Sequence, residues 1–448
     1  METVTRKAPG TSWYNAVWRW HFYAGLFCLP FILWLSVTGT IYLWKPQIEA
    51  WQERAYDNLP VTGARATPEA IVATALAANP GARLSKYERP ETATQAVRVL
   101  IAKDGVETRV YVDPYRSRVL GSVREDARPM KIISALHGTL LAGKPGSWLV
   151  EIAACWTITM LLTGLYLWWP RGRKGMAGVL YPRWRSGRRL FWRDTHAVAG
   201  IWVSLAAVFL IATGLPWANA WGSYLAAVRT ATGTTDGPVD WMIAGKPAAR
   251  SGAKPAESSG ANADEHAGHR GMAMPPPSAV STTPRPGDLD RMVAVAERLP
   301  LAAPVLIAPK PGTANWTIGS ESANRPQRTR LTLDGTTGQI LDRRDFAQRQ
   351  WIDRAIGYGI AIHEGAFFGL ANQILGTLVT TLLATLAISG TVMWWRRRKP
   401  GTLGAPIKLT RPRYGALLIG SIATLGVAMP LFGATLLAVI TIDRLRPR

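Results

Sequence analysis

Four of the six histidines fall into a pattern that could hold metal ions. His21 is preceded by Trp18-Arg19-Trp20 and followed by Gly25 and then Thr38-Gly39. His196 is preceded by Trp192-Arg193 and followed, at the same offsets, by Gly200 and Thr213-Gly214. His137 is followed by Gly143, Thr163-Gly164 and Trp168-Trp169. His363 is followed, again at identical offsets, by Gly369, Ser389-Gly390 and Trp394-Trp395. Two imidazoles on neighbouring helices can bind a b-type haem from either side of its ring. No C-x-x-C-H run offers covalent haem attachment, and the only cysteines, Cys28 and Cys155, stand alone. Zinc is the competing metal, but no clustered cysteines or carboxylates complete a tetrahedral set. A lone histidine at a helix end is ordinarily an interfacial residue; the matched offsets favour two bis-histidine sites. A glycine one turn from a ligand clears space for a flat macrocycle, so Gly25 and Gly200 join the candidate set. Close helix packing is the ordinary use of such glycines. Arg19 and Arg193 could pair with haem propionates.

The elements that must position these residues are membrane spans. Apolar runs occur at about 22–44, 147–169, 197–218, 370–395 and 414–442, and roughly 20 apolar residues cross a bilayer. The short links after the second and fourth spans are packed with arginine, which marks them as cytoplasmic. The long polar stretches 46–131 and 221–350 then lie outside, in a periplasm. His21 and His196 fall at the cytoplasmic ends of their spans. His137 and His363 fall at the outer ends, and the break Gly143-Lys144-Pro145-Gly146 puts His137 on a short helix before its span. The net charge of +23 is therefore mostly a topology signal, and no nucleic-acid partner is expected. The first span is too long for a cleaved signal peptide and ends in Trp44-Lys45-Pro46. The fifth run contains Pro430 and ends in a basic tail. As one crossing it breaks the charge rule, and a kinked or re-entrant segment is the alternative.

The repeat defines the architecture: a helical bundle of four core spans in two repeated pairs plus a C-terminal fifth, with two small α+β outer domains. The segments are 1–45, 46–131, 132–170, 171–195, 196–220, 221–350, 351–396, 397–413 and 414–448. Hairpins are expected in both outer stretches, at 111–121 (YVDPYRSRVLG) and 331–342 (LTLDGTTGQILD). Residues 246–288 are low in complexity and read as a disordered insertion. They include His266, His269, Met272 and Met274, a possible copper tract whose ordinary reading is incidental linker residues. Tryptophans at span ends, such as Trp44, Trp168 and Trp395, read as the interfacial aromatic belt. Glu151 reads as a carboxylate snorkelling to the interface, with a proton relay as the functional alternative. Glu364 reads as a group that orients an imidazole or contacts substrate, or as a solvated neighbour of His363. No phosphate loop or dinucleotide fingerprint is present, so electrons would come from a cytoplasmic donor or quinol.

The RWH…G…TG span, the outer hairpins, the LHGTLLAG segment and the TGLYLWWPR ending resemble the PepSY-associated transmembrane family. Within that family the chain is similar to the di-haem inner-membrane siderophore reductases. The second copy departs in Ser389-Gly390 and in Trp395-Arg396, which leaves the histidines untouched. The resemblance implies two PepSY-like periplasmic domains and two b haems in a bacterial inner membrane. His21 with His196 would ligate the inner haem and His137 with His363 the outer one. The implied activity is reduction of a periplasmic ferric siderophore in iron uptake. Three rival functions remain: a cupric reductase, an electron conduit for a periplasmic oxidoreductase, and a haem-free regulator of periplasmic peptidases.

Overall fold

The computed structural model describes residues 9–171, 175–235, 285–406 and 415–445. The first half runs α1 (Pro9–Leu43), α2 (Lys45–Asp57), α3 (Pro68–Ala77), β1 (Arg83–Arg89), β2 (Val97–Lys103), β3 (Val106–Asp113), β4 (Arg118–Arg124), α4 (Pro129–Thr139) and α5 (Gly143–Trp168). The second runs α6 (Arg188–Gly214), α7 (Asn219–Ala231), α8 (Asp288–Glu297), β5 (Val305–Pro309), β6 (Asn315–Ser320), β7 (Thr329–Asp334), β8 (Ile340–Asp345), α9 (Trp351–His363) and α10 (Leu370–Arg397). Two further helices, α11 (Ala416–Ala428) and α12 (Pro430–Leu445), close the described chain.

Among the described residues, four helices are long and apolar enough to cross a membrane: Trp13–Leu43, Gly143–Trp168, Arg188–Trp217 and Leu370–Arg397. They form a closed ring in which α1 touches α5 and α10, and α6 touches α10 and α5. With lipid as apolar as leucine, packing and interhelical hydrogen bonds must hold such a ring. Both are present. Ala199, Val203, Val379 and Leu386 fill the α6–α10 seam. Thr40 meets Thr380 at 2.7 Å, and the Trp44 indole donates to Thr377 at 3.0 Å, across the α1–α10 seam.

The two outer α+β units are not separate bodies. Their strands form one antiparallel sheet in the order β4-β3-β2-β1-β5-β6-β7-β8, joined where β1 pairs with β5 at Tyr87–Ile307, Glu88–Leu306 and Arg89–Val305. Each unit alone would expose an edge strand; the joint covers both edges. A single core follows, with Ile71 of α3 and Met292 of α8 buried with strand residues of both halves such as Val99 and Ile318. Both expected hairpins form. Asp113 and Asp334 end their strands alike, each side chain accepting backbone N–H groups two and three residues on.

The fifth apolar run is not a single span. It breaks at Met429-Pro430 and folds back, so that a Cβ added at Gly433 would lie 3.2 Å from the Gly426 Cα. Seven residues along a continuous helix would separate those positions by about 10 Å. Proline forbids the helical hydrogen bond at the break, and the glycine pair lets the two arms touch. The Trp156 indole of α5 donates to Thr435, and Phe432 packs edge-on against Trp156. The hairpin thus leans on α5 and returns toward the end from which it entered.

Candidate functional site

All four histidines are held by one device. The hydroxyl-glycine pairs that repeat in the sequence are sockets for imidazoles. Thr163-Gly164 of α5 holds His21 of α1, with Nδ1 3.1 Å from Thr163 Oγ1 and 3.0 Å from the Met160 carbonyl. Ser389-Gly390 of α10 holds His196 of α6, with Nδ1 3.1 Å from Ser389 Oγ and 3.2 Å from the Leu386 carbonyl. Thr38-Gly39 of α1 holds His137 of α4, with Nδ1 3.0 Å from Thr38 Oγ1 and bonded also to the Leu35 carbonyl. Thr213-Gly214 of α6 holds His363 of α9, at 2.9 Å from Thr213 Oγ1, with the Leu210 carbonyl as the backbone partner. In every case the carbonyl sits three residues before the hydroxyl residue, where the helix presents both to one neighbour.

Glycine beside the hydroxyl leaves room for the imidazole, tightly at Gly164 and Gly39 and at ordinary contact distance at Gly390 and Gly214. A Cβ would come within 3.1 Å of His21 Cε1 at Gly164, 3.2 Å of His137 Cε1 at Gly39, 3.4 Å of His196 Cε1 at Gly390 and 3.5 Å of His363 Cε1 at Gly214. The hydrogen bonding also fixes the tautomer. A carbonyl only accepts, so Nδ1 must carry the proton. Each hydroxyl proton goes to the carbonyl four residues back, at 2.9 Å for Thr38, 2.8 Å for Thr163, 2.8 Å for Thr213 and 2.6 Å for Ser389. The hydroxyl oxygen is therefore left to accept. Each Nε2 keeps its lone pair and has no hydrogen-bond partner among the described residues. A metal-ligating histidine is held in this way by its other nitrogen.

The histidines converge in pairs. The rings of His21 and His196 face each other with centres 6.3 Å apart and planes at 84°. Two imidazoles sharing one ion, each nitrogen about 2.0 Å from the metal, bring their ring centres to roughly 6 Å. His137 and His363 border one cavity of 320 Å³ between the helices, with Ser36, Glu151, Trp217 and Asn372 also in its wall. The Trp217 ring stands 6.1 Å from that of His363. Among the described residues no group of three or more histidine, cysteine or acidic side chains is placed to share a metal ion.

The short helices α4 and α9 carry the second pair, and ion pairs pin both, partly buried at α4 and buried at α9. Arg128, next to the start of α4, reaches Glu49, Glu53 and Glu125 at 2.9–3.1 Å. Burial alone would raise the Glu125 carboxyl, but Arg109 and Arg128 outweigh it and hold it at about 2. In α9, Asp353 takes both terminal nitrogens of Arg229 from α7, at 2.7 and 2.8 Å. As the sequence break suggested, α4 ends at Thr139 and α5 begins at Gly143. Leu140 and Leu141 make the turn with positive φ, and Gly146 is obligatory because a side chain would strike the Thr139 carbonyl.

The remaining candidates take other places. Arg19 donates to the Pro406 carbonyl at 2.7 Å, and Arg193 pairs with the fully buried Asp194, which also binds Arg183. Gly25 and Gly200 face Met160 and Leu386, the residues whose carbonyls hold the histidines, at ordinary contact distance. Glu151 does not snorkel: it is 2% exposed. His266, His269, Met272 and Met274 lie outside the described residues. The residues that sequence reasoning passed over are Thr38, Thr163, Thr213 and Ser389. Their signal was the repeated offset itself.

No curated protein matches the chain. The pattern that defines the PepSY-associated TM region matches residues 18–397, from the Trp-Arg-Trp-His run to the end of α10, and leaves out the C-terminal hairpin. This membrane protein belongs to the PepSY-associated TM region family.

Proposed function

We propose that the protein is a di-haem b reductase that carries electrons through a bacterial inner membrane and reduces a ferric siderophore on the sheet-bearing side. The observation that carries this reading is the fourfold socket, which holds each imidazole by Nδ1, leaves Nε2 unbonded, and sets His21 beside His196 and His137 and His363 on one cavity. The residues present fit the cofactor. His21 and His196 would hold one haem at the arginine-rich end, and His137 and His363 the other beside the sheet. Each haem would supply a one-electron couple suited to electron transfer. The hydroxyl–carbonyl pairs keep the imidazoles in the ligating tautomer, and the apolar spans exclude water. The basic loops assign their end to the cytoplasm, so the donor, a cytoplasmic protein or quinol, meets His21 and His196 first. On this reading the two halves of the sheet would be the PepSY-like periplasmic domains, and the siderophore follows from the family resemblance.

The test is a reduced-minus-oxidised visible spectrum of the detergent-purified protein with haem counted per chain. A low-spin b-type spectrum with about two haems per chain, halved in His21→Ala and in His363→Ala, is expected. A colourless protein from cells with ample haem would refute the redox reading and favour a regulator. A haem protein inert toward ferric siderophores would move the substrate to copper chelates or a periplasmic oxidoreductase.

A further inference from the structure

Glu151 lies two turns into α5, at membrane depth, where an ionisable group is costly and demands a reason. Capping a neighbouring helix is an incomplete reason. The Glu151 carboxylate accepts the Ala220 N–H at the start of α7, at 3.0 Å from Oε2, and the Trp221 N–H. One turn earlier, Ser147 Oγ accepts the Asn219 N–H at 3.2 Å, so an uncharged hydroxyl performs the same task beside it. The second carboxylate oxygen, Oε1, is buried without a hydrogen-bond partner among the described residues. The residue borders the cavity that His137 and His363 share.

An electron added to a metal centre in that cavity adds one negative charge where the dielectric is low, and a fixed carboxylate nearby would oppose it. A carboxylate that can take a proton removes the opposition. We propose that Glu151 takes up one proton when the redox centre held by His137 and His363 gains one electron, an inference that rests on the di-haem reading. The step balances: Fe(III), one electron from the quinol or cytoplasmic donor, the carboxylate and one proton from water give Fe(II) and the carboxylic acid. The net charge of the cavity is unchanged. The titratable groups facing Glu151 are His137 from α4, His363 and Glu364 from the end of α9, Tyr42 from α1, and Cys155 on its own helix. α6, α7, α10 and α12 present Leu210, Asn219, Asn372 and Phe432, which carry no charge. The two histidines would be committed to iron, which leaves Glu364 as the rival acceptor.

The test is a redox titration of the haem-loaded full chain at several pH values either side of neutrality. One of the two components is expected to fall by about 59 mV per pH unit, the equivalent of a tenfold change in proton concentration for a one-electron couple. Glu151→Gln keeps an oxygen for Ala220 and should flatten that component while leaving the other in place. Glu364→Gln should leave the slope unchanged. Redox-difference infrared spectra should gain a carboxylic C=O band on reduction in the wild type and equally in Glu364→Gln, which decides the matter if Glu151→Gln fails to fold; a band lost in Glu364→Gln would overturn the proposal. Two pH-independent components, a slope that survives in Glu151→Gln, or one abolished by Glu364→Gln would overturn the proposal. A chain that binds no haem overturns it together with the di-haem reading; a haem-loaded chain with flat potentials overturns it alone.

Discussion

Gly164→Ala places a methyl group 3.1 Å from His21 Cε1 and 3.5 Å from Nδ1. Carbon atoms rest at about 3.5–4.0 Å, so the imidazole or the helix must yield by roughly half an ångström. The ring cannot simply slide, because Met160 and Thr163 hold Nδ1 from the same helix. Overpacking of this kind costs about 1–3 kcal/mol. On the proposed di-haem reading, strain relieved by tilting the imidazole would appear as weaker haem binding, about 5- to 150-fold at 1.4 kcal/mol per decade. The assay is haem titration of the apoprotein, with occupancy read from the b-type spectrum and thermal stability measured in parallel. Gly39→Ala, at 3.2 Å from His137 Cε1, should match it at the other pair. Gly214→Ala, at 3.5 Å, should be milder, and Gly25→Ala, which meets only the Met160 sulfur at 3.8 Å, milder still. Wild-type haem affinity in Gly164→Ala, or equal damage from Gly25→Ala, would refute the socket.

Thr38→Val and Thr213→Val keep the shape of the socket but remove its acceptor, and each should weaken haem binding about 10- to 100-fold at the His137–His363 pair by spectral titration. Glu125 titrates below its ordinary value, so its contribution is complete above about pH 4.5 and fades as pH falls toward 2. Chemical unfolding should show an acid-labile component on the order of 3 kcal/mol at most, absent in Glu125→Gln. Asp353→Asn leaves the buried Arg229 without its carboxylate and should cost about 3–5 kcal/mol, seen as a lower melting temperature and loosening of α9 in hydrogen exchange. A reporter fused after α12 should respond from the same side of the membrane as one placed in the 401–406 loop, because the hairpin returns; opposite sides would show a full crossing.

The spans, the histidine pairs and both strand hairpins were legible because each depends on local pattern: an apolar window, a repeated offset, an Asp-Pro or Asp-Gly turn. The sockets were not. Thr38 lies 17 residues from His21 on α1, roughly 26 Å along the helix, so the two belong to different sites. Only the packing of α4 on α1 reveals that Thr38 serves His137. The continuous sheet was equally hidden. Alternation says which face of β1 is buried, not which edge finds β5 more than 200 residues later. Pro430 announced a break in the last apolar run, but the fold-back depends on Gly426 and Gly433 meeting, a contact between residues that a helix would hold apart.

The sockets bind the site to the fold in a reciprocal way. Within the first half, α5 holds the histidine of α1, and α1 holds the histidine on α4, the short helix that precedes α5. The second half repeats the exchange between α6, α9 and α10. Neither imidazole of a half can be placed until both spans are packed, and each facing pair takes one histidine from each half. The distance between Nε2 atoms is therefore set by the whole four-helix ring and not by any single helix. A substitution at the α6–α10 seam, such as Val203 or Leu386, moves the backbone that carries a socket and so changes the facing distance without touching a histidine. Rigid close packing transmits such shifts. Seam variants should therefore alter redox potential or haem affinity in proportion to the displacement of the socket carbonyl, whereas equally large changes on the lipid face, as at Leu205, should not.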